Sequence, residues 1–287
     1  MGNVVKLFAR NGIDYSAFML NVLRRTGSVI SGPDALTAWY PTAPPSGRME
    51  IFCPNMPGAY TGMIDHLTMA EGFEVEDVIH PDRSQNPHAF QAIYSDRAFG
   101  RTVKAAITMK KSRPTVLTQF TCIILICSST DSPLPTVMEL PSTLFMNAIT
   151  GSSLVSFYPG YTFNAEGLMN YEDPVLPRSI PSTNKFQNAN FNVLMKIPRP
   201  FATDHRCGFH YLCPNMLRNT LDNRSAITDI TRVYEDDPIP QKAGRRLVVW
   251  RLRCAGKCGE GMLPEPYQME SVVAVYVTQN FVVVDSW

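Results

Sequence analysis

Residues 28–54 read SVISGPDALTAWYPTAPPSGRMEIFCP, and this stretch decides how the fold is interpreted. An apolar run that ends at Ser31 and Gly32 is typical of a short buried strand followed by a turn. Pro33 suits the first turn of a helix, where its missing N–H removes no hydrogen bond. After a proline-rich loop, a second strand is predicted over 49–53. The stretch therefore predicts a strand, a glycine turn, a short helix and a second strand.

Helices and strands also interleave outside this stretch. One amphipathic helix is indicated by apolar residues at helical spacing: Tyr15, Phe18, Met19, Val22 and Leu23. Gly27 is its expected C-terminal stop. The apolar run over 116–127 predicts a central strand, and 141–150 is predicted as a helix that Gly151 ends. This alternation favours an α/β (α+β) fold with a mixed sheet flanked by helices.

The chain has 287 residues, which is room for one large domain or two modest ones. Prolines gather over 171–203, a loop-dominated stretch that suits a boundary between subdomains. We therefore predict a core over 1–163 and a β-rich C-terminal extension over 164–287 that packs on it. One continuous domain is the alternative.

Composition restricts the partners and the compartment. The 26 basic and 25 acidic residues give a net charge of +1, so no overall field attracts nucleic acid. No apolar run approaches the roughly 20 residues that span a bilayer, and the N-terminus lacks the features of a secretory signal. The odd number of cysteines, 7, fits a reducing compartment. We expect an intracellular, cytoplasmic protein with neither a membrane nor a nucleic acid as partner.

Four cysteines invite a zinc interpretation: Cys207, Cys213, Cys254 and Cys258. Their C-x5-C and C-x3-C spacings are looser than the paired C-x2-C of typical structural zinc sites. The alternative is that Cys207 and Cys213 are small buried side chains that pack like apolar residues. The sequence leaves a structural zinc site and simple packing both open.

A series of segments occurs in a distinctive order along the chain: 29–32, 49–54, 121–129, 142–150, Cys207, 213–214 and 218–222. This ordered series resembles a group of uncharacterised fungal proteins that are described as having a nucleotidyltransferase-like fold. The resemblance implies a turn that contacts nucleotide phosphates at the start of a helix. It also implies two carboxylates one residue apart on a strand, which bind divalent metal together with a third from a neighbouring strand.

Residue by residue, the implied site is incomplete. Ser31 and Gly32 match the end of the glycine turn, but Pro33 replaces the serine that would contact phosphate and has neither an N–H nor a hydroxyl. Arg48 stands at the first carboxylate position and Glu50 at the second. A guanidinium is permanently charged and would repel a metal ion rather than bind it.

The third carboxylate has no candidate, because 118–127 contains neither Asp nor Glu. Glu50 is therefore the surviving candidate for a catalytic role. Asp34, Asp65 and Asp131 are the alternative carboxylates if the alignment is shifted by a loop. Helix capping or dipole compensation for Asp34, and turn formation for Asp131, are the commoner roles of such residues.

We therefore expect a nucleotidyltransferase-fold pseudoenzyme that binds a nucleotide-like ligand or a protein partner. The predicted binding residues are Ser31, Gly32, Arg48 and Glu50. One alternative is an active nucleotidyltransferase with rearranged carboxylates, which would need Mg²⁺ or Mn²⁺. The other is a purely structural or interaction module. A cofactor is expected for the enzyme alternative alone.

Overall fold

A computed structural model gives the architecture of the chain. It describes residues 1–80, 102–112, 120–170, 181–194, 208, 210, 212–230, 247–252 and 274–276. The predicted strand over 281–284 lies outside the described residues, and so do Cys207, Cys254 and Cys258 of the predicted zinc site.

The helices include two that the sequence predicts from local signals. They are α1 (Gly2–Arg10), α2 (Ser16–Thr26), α3 (Pro33–Trp39), α4 (Ala59–Asp65), α5 (Leu134–Met138), α6 (Pro159–Thr162) and α7 (Pro181–Asn188). Gly27 ends α2 in the left-handed conformation, with φ of 68°, and Pro33 begins α3, as predicted. A π-helical turn over His66–Ala70 continues α4. No helix in the described part of the chain has the length and apolar character to cross a bilayer.

Within the described residues the strands form one large sheet and two small ones. They are β1 (Val29–Ser31), β2 (Met49–Cys53), β3 (Glu74–Ile79), β4 (Val103–Ser112), β5 (Phe120–Ser128), β6 (Asn147–Ile149), β7 (Ser153–Ser156), β8 (Glu166–Leu168), β9 (Asn192–Leu194), β10 (Arg218–Asn219), β11 (Ala226–Asp229), β12 (Leu247–Trp250) and β13 (Ala274–Tyr276). The large sheet has the order β11-β7-β6-β1-β2-β5-β4-β3. Within it β2 and β5 run parallel, whereas the other neighbours are antiparallel. The predicted mixed sheet with flanking helices is confirmed at this level.

Residues 141–150 do not form the predicted helix. A 3₁₀ turn over Thr143–Phe145 leads directly into β6, whose Ile149 pairs with Ile30 of β1. The apolar run is compatible with a helix and with a buried strand. Because residues 147–149 pair with β1 on one side and with β7 on the other, they form a strand. The stretch over 171–203, predicted as loop, likewise contains α7 and β9.

Both faces of the central strands of the large sheet are covered, whereas β3 and β11 at its edges are largely exposed. On one face, α1, α2 and α4 pack apolar side chains such as Phe8, Leu23 and Met63 against Ile51 of β2. On the other face lie Phe52 and its neighbours, covered by α5, the 3₁₀ turn and the β12 segment. Successive residues of a strand point to opposite faces, so Glu50 lies on the Phe52 face.

Part of the predicted extension is built into this sheet. β11 pairs with β7 at the sheet edge, and Nε1 of Trp250 donates a hydrogen bond of 2.9 Å to the hydroxyl of Tyr158. Tyr161 donates to the carbonyl of Leu212 at 3.1 Å. The described residues of 164–287 thus share a sheet and a hydrophobic interior with 1–163. The boundary at 163 stays a prediction.

Candidate functional site

The turn between β1 and α3 holds the first predicted binding residues. Gly32 has φ of 79°, and its N–H donates to the carbonyl of Phe145 at 3.2 Å. The hydroxyl of Ser31 donates to the carbonyl of Asn147 at 2.6 Å. Both predicted phosphate donors are therefore engaged by carbonyls inside the fold, and Pro33 has no N–H to add. These hydrogen bonds connect the turn to the 3₁₀ turn and β6 beside it.

Glu50 lies directly opposite Ser31 in the β1–β2 ladder, and its side chain faces the Gly32 turn. It is buried, with 5% of its surface exposed. The structure therefore brings together three of the predicted binding residues. Burial of a carboxylate is unfavourable without charge compensation, so a neighbouring cation is expected.

Arg48 provides that cation. Its Nε lies 3.8 Å from Oε1 of Glu50, and its side chain is 35% exposed whereas that of Glu50 is 6% exposed. The guanidinium thus lies at the surface end of a buried acid. The structure places all four predicted binding residues in one cluster, with a fixed positive charge where the resemblance implies a metal-binding carboxylate.

A second buried acid lies next to this cluster. Asp34 is 1% exposed, and Nη2 of Arg10 lies 2.9 Å from its Oδ1. Ser46 Oγ lies 2.9 Å from Oδ2 and also accepts the N–H of Arg48 at 3.1 Å. Burial raises the pKa of Asp34, and the Ser46 and Arg10 contacts only partly offset this effect.

Of the two roles predicted for Asp34, the structure agrees with dipole compensation and not with capping. Asp34 lies in the first turn of α3, where an acid complements the helix dipole, but Gly32 is the N-cap residue and no side chain caps the helix. The carboxylate of Asp34 instead joins α1 to the loop that precedes β2 through Arg10 and Ser46. Sequence spacing gave no signal for this pairing.

The resemblance implies a third acid on the strand beside β2, and β5, which holds that position, contains neither Asp nor Glu, as predicted. Glu50 is in register with Ile124, and the same register continued by two residues places Cys122 beside Arg48. Burial raises the pKa of the Cys122 thiol, while the charges of Arg48 and Lys110 oppose that shift. The face of β5 next to Glu50 thus presents a thiol and an aliphatic side chain.

The other alternative carboxylates are elsewhere. Asp65 is exposed on α4, on the opposite side of the sheet, and Asp131 lies in the turn after β5. Within the described ranges, no group of three or more His, Cys, Asp or Glu side chains is arranged to hold a metal ion. Of the predicted zinc cysteines the structure describes Cys213, which is buried and accepts the Gly208 N–H at 3.4 Å. The zinc prediction otherwise lies outside the described residues.

Sequence reasoning missed a row of side chains that extends the cluster along the sheet. Lys110 of β4 is in register with Cys122, and Ser112 with Phe120, so these residues share the face of Glu50. Nζ of Lys110 lies 5.9 Å from the ring centroid of Phe120, which is 56% exposed. We call Arg48, Lys110, Phe120 and Cys122 the cationic strip. Alternation along the strands was the signal that could have revealed it.

No protein-family model, curated protein or solved structure matches this chain. Its function must therefore be inferred from its own residues. The site combines a glycine turn, two buried acids and a half-exposed arginine beside one of them, next to a lysine and an exposed aromatic ring.

Proposed function

We propose that the protein is a catalytically inactive nucleotidyltransferase-fold protein that binds a nucleotide-like ligand on the cationic strip. The observation that carries this proposal is the approach of Nε of Arg48 to within 3.8 Å of Glu50. Mg²⁺ and Mn²⁺ require clustered oxygen ligands, and a guanidinium beside the acid opposes their binding. The same guanidinium favours a phosphate.

Arg48 is suited to hold a phosphate in a fixed orientation. A guanidinium has five N–H donors in a planar fork, and its contact with Glu50 involves the Nε side of that fork. The side chain is 35% exposed, so a ligand at the surface can contact it. Charge-assisted, bidentate hydrogen bonds from arginine to phosphate are among the strongest hydrogen bonds in proteins.

Lys110 supplies a second positive charge on the same face. It forms an ion pair with Glu76, and the two side chains are 40% and 43% exposed. Exposed ion pairs contribute little stability, so a phosphate can replace Glu76 with little loss of folding free energy. Arg48 at the start of β2 and Lys110 of β4 lie on either side of β5, and two cations so placed match a ligand that carries more than one phosphate.

Phe120 supplies a surface for a base. More than half of its surface is exposed at the start of β5, and it shares the strip's face. Stacking of a base on an aromatic side chain contributes about 1–3 kcal/mol and tolerates any base. The strip therefore offers a phosphate end and a stacking end, as a nucleotide requires.

The experiment measures the melting temperature with ATP, GTP, UTP and inorganic phosphate, in EDTA and in MgCl₂. We expect saturable stabilisation by the triphosphates in EDTA, larger than that by inorganic phosphate. Arg48→Ala should abolish it, Arg48→Lys should retain part of it, and Phe120→Ala should weaken it. Arg25→Ala, an exposed arginine on α2, is the matched control and should behave as the wild type.

Two results would overturn the proposal. One is no stabilisation by any nucleotide, which favours a structural or interaction module. The other is stabilisation that needs magnesium and is lost in Glu50→Ala, which favours an enzyme with a metal site.

A further inference from the structure

The two cations of the cationic strip differ in how firmly their acid partners are held. Glu50, beside Arg48, is 5% exposed and packs against the Gly32 turn, so its position is fixed. Glu76, which pairs with Lys110, lies on the edge strand β3, and its side chain is 43% exposed. The acid at Lys110 is therefore able to turn into solvent, whereas the acid at Arg48 is not.

A β-bulge places Glu76 beside Lys110. In the β3–β4 ladder Lys110 is in register with Glu74, and the register shifts between Val75 and Asp77. Glu76 is the extra residue of this bulge and has no register partner in β4. Bulges bend a strand locally and redirect its side chains. The carboxylate that Lys110 contacts is that of Glu76, so the bulge directs an acid to the second cation of the strip.

The thiol of Cys122 lies within reach of all three charges. Cys122 is on β5, between the strands that follow Arg48 and carry Lys110, and it is in register with Lys110. Burial raises the pKa of this thiol most strongly, the charges of Arg48 and Lys110 oppose the shift, and Glu76 reinforces it. A phosphate that lies between the two cations therefore also meets the negative charge of Glu76.

A carboxylate and a phosphate are alternative partners for the ammonium group of a lysine. The ammonium is a compact charge on a flexible stem, so it can exchange one anion for another. An exposed lysine–carboxylate pair contributes little stability, and charge-assisted contacts with phosphate are strong. A ligand that extends to Lys110 gains its contact by displacing Glu76, whereas a ligand at Arg48 leaves Glu50 in place.

We propose that Glu76 is an intramolecular competitor of phosphate at Lys110, displaced by ligands whose phosphate chain extends from Arg48 to Lys110. This inference rests on the proposed nucleotide binding and adds a regulation of it. A polyphosphate contacts both cations and displaces Glu76. A monophosphate reaches one cation, binds at Arg48 and leaves the Glu76 pair intact. Glu76 thus lowers the affinity for polyphosphates and leaves the affinity for monophosphates unchanged.

The test is calorimetric titration of ATP and of AMP in EDTA at one salt concentration, because the two ligands share base and sugar and differ in phosphate number. Glu76→Gln should raise the affinity for ATP about two- to fivefold, as expected for an exposed ion pair. It should change the affinity for AMP by less than about twofold. In a Lys110→Met background, Glu76→Gln should leave the affinity for ATP unchanged, because the contested cation is gone.

Asp14→Asn is the matched control. Asp14 is an exposed acid whose Oδ2 lies 2.6 Å from Nζ of Lys111, and Lys111 follows Lys110 on the opposite face of β4. The control removes the same charge and the same kind of ion pair away from the strip. Its affinity for ATP should stay within about twofold of that of the wild type.

A second measurement needs no nucleotide. The rate at which iodoacetamide alkylates Cys122 is followed by mass spectrometry of the peptide that contains it. Because the thiolate is the reactive form, removal of a negative charge nearby should increase this rate. We expect Glu76→Gln to increase it roughly twofold and Asp14→Asn to leave it unchanged. An unchanged rate in Glu76→Gln would contradict the proposed position of this charge on the strip.

The outcomes separate this inference from the proposed function. ATP binding that is lost in Arg48→Ala but is unchanged in Glu76→Gln overturns the inference and leaves the proposed function in place. An equal gain for ATP and AMP, or a gain that persists with Met at position 110, does the same, because it would show a general effect of charge. No binding of ATP to the wild type overturns both.

Discussion

A Cβ atom added to Gly32 would lie 2.5 Å from Oε2 of Glu50, well inside the van der Waals contact distance. The buried acid thus occupies the space beside the turn, and only a residue without a side chain leaves room for it. Gly32 also has φ of 79°, a conformation that other residues rarely adopt. Turn and acid therefore form a single packed unit.

We predict that Gly32→Ala lowers the free energy of unfolding by about 2–4 kcal/mol, because the strain of a positive φ adds to the clash. Gly58→Ala is the control for a positive φ without a clash, since Gly58 has φ of 77° and no atom within 4 Å of an added Cβ. Its backbone cost is about 1–2 kcal/mol, a lower limit for Gly32, whose ψ of −160° differs from the −14° of Gly58. Urea unfolding measures both, and equal losses for the two variants would show that Glu50 does not restrict position 32.

Removal of Arg10 should make the free energy of unfolding depend more strongly on pH than in the wild type. Burial raises the folded-state pKa of Asp34 above its ordinary value of 3.8, so ionisation of Asp34 destabilises the fold as pH rises through the raised pKa. Arg10 offsets this effect. We expect Arg10→Ala to lose about 1–3 kcal/mol at pH 7 and much less at pH 4.

Chemical denaturation of the wild type and of Arg10→Ala at pH 7 and at pH 4 measures this loss of unfolding free energy. Asp34→Asn is the background in which the pH-dependent part of the loss should vanish. A loss of the same size at both pH values, or one that persists with Asn at position 34, would mean that Arg10 stabilises α1 by packing alone.

Arg218 is predicted to be essential for stability. It is 1% exposed, with its guanidinium carbon 5.2 Å and 5.4 Å from the ring centroids of Tyr158 and Trp250. It also donates to the Phe157 carbonyl at 3.0 Å and pairs with Asp222. Arg218→Met should cost about 3–5 kcal/mol at pH 7, because it leaves a partly buried carboxylate without its partner.

The acid dependence of the Asp222 pair has a definite sign. Burial alone would raise the pKa of Asp222, but hydrogen bonds from Arg218 and from the Arg224 N–H bring it below the ordinary value of 3.8. The stabilisation from this carboxylate is therefore present above pH 3.8 and is lost as pH falls through the lowered pKa. Unfolding curves of wild type and Arg218→Met should converge in acid, and a constant gap between them would contradict the pairing.

His66 should contribute a loss of stability on mild acidification. Burial lowers its folded-state pKa below 6.5, and Glu71 opposes the shift only in part. The unfolded chain then binds more protons, so the free energy of unfolding falls as pH drops below 6.5, by at most about 1.4 kcal/mol per pH unit. His66→Gln should flatten this dependence between pH 6.5 and the lowered pKa. An unchanged slope would assign the acid sensitivity to other groups.

Local signals explain what the sequence could predict. Gly27, Pro33 and the strand Met49–Cys53 were identified correctly because each depends on its immediate neighbours. The helix predicted over 141–150 was wrong because strand pairing with residues more than 100 positions away outweighs periodicity there.

In the candidate site, too, local features could be predicted from the sequence and long-range contacts could not. Alternation placed Arg48 and Glu50 on one side of β2, and the structure brings them together. The contacts that define the chemistry are long-range: Arg10 with Asp34, and Lys110 and Phe120 beside Cys122. Such contacts depend on strand register and helix packing, which a single sequence does not encode locally.

The central claim is that the site binds a phosphate ligand through Arg48 and without a metal ion. The most direct measurement is calorimetric titration of ATP into the protein in EDTA and again in MgCl₂. We predict saturable one-site binding in EDTA that magnesium does not strengthen, with at least a tenfold loss of affinity in Arg48→Ala, as expected for a charge-assisted contact. Binding that appears only with magnesium and disappears in Glu50→Gln, or no binding in either buffer, would contradict it.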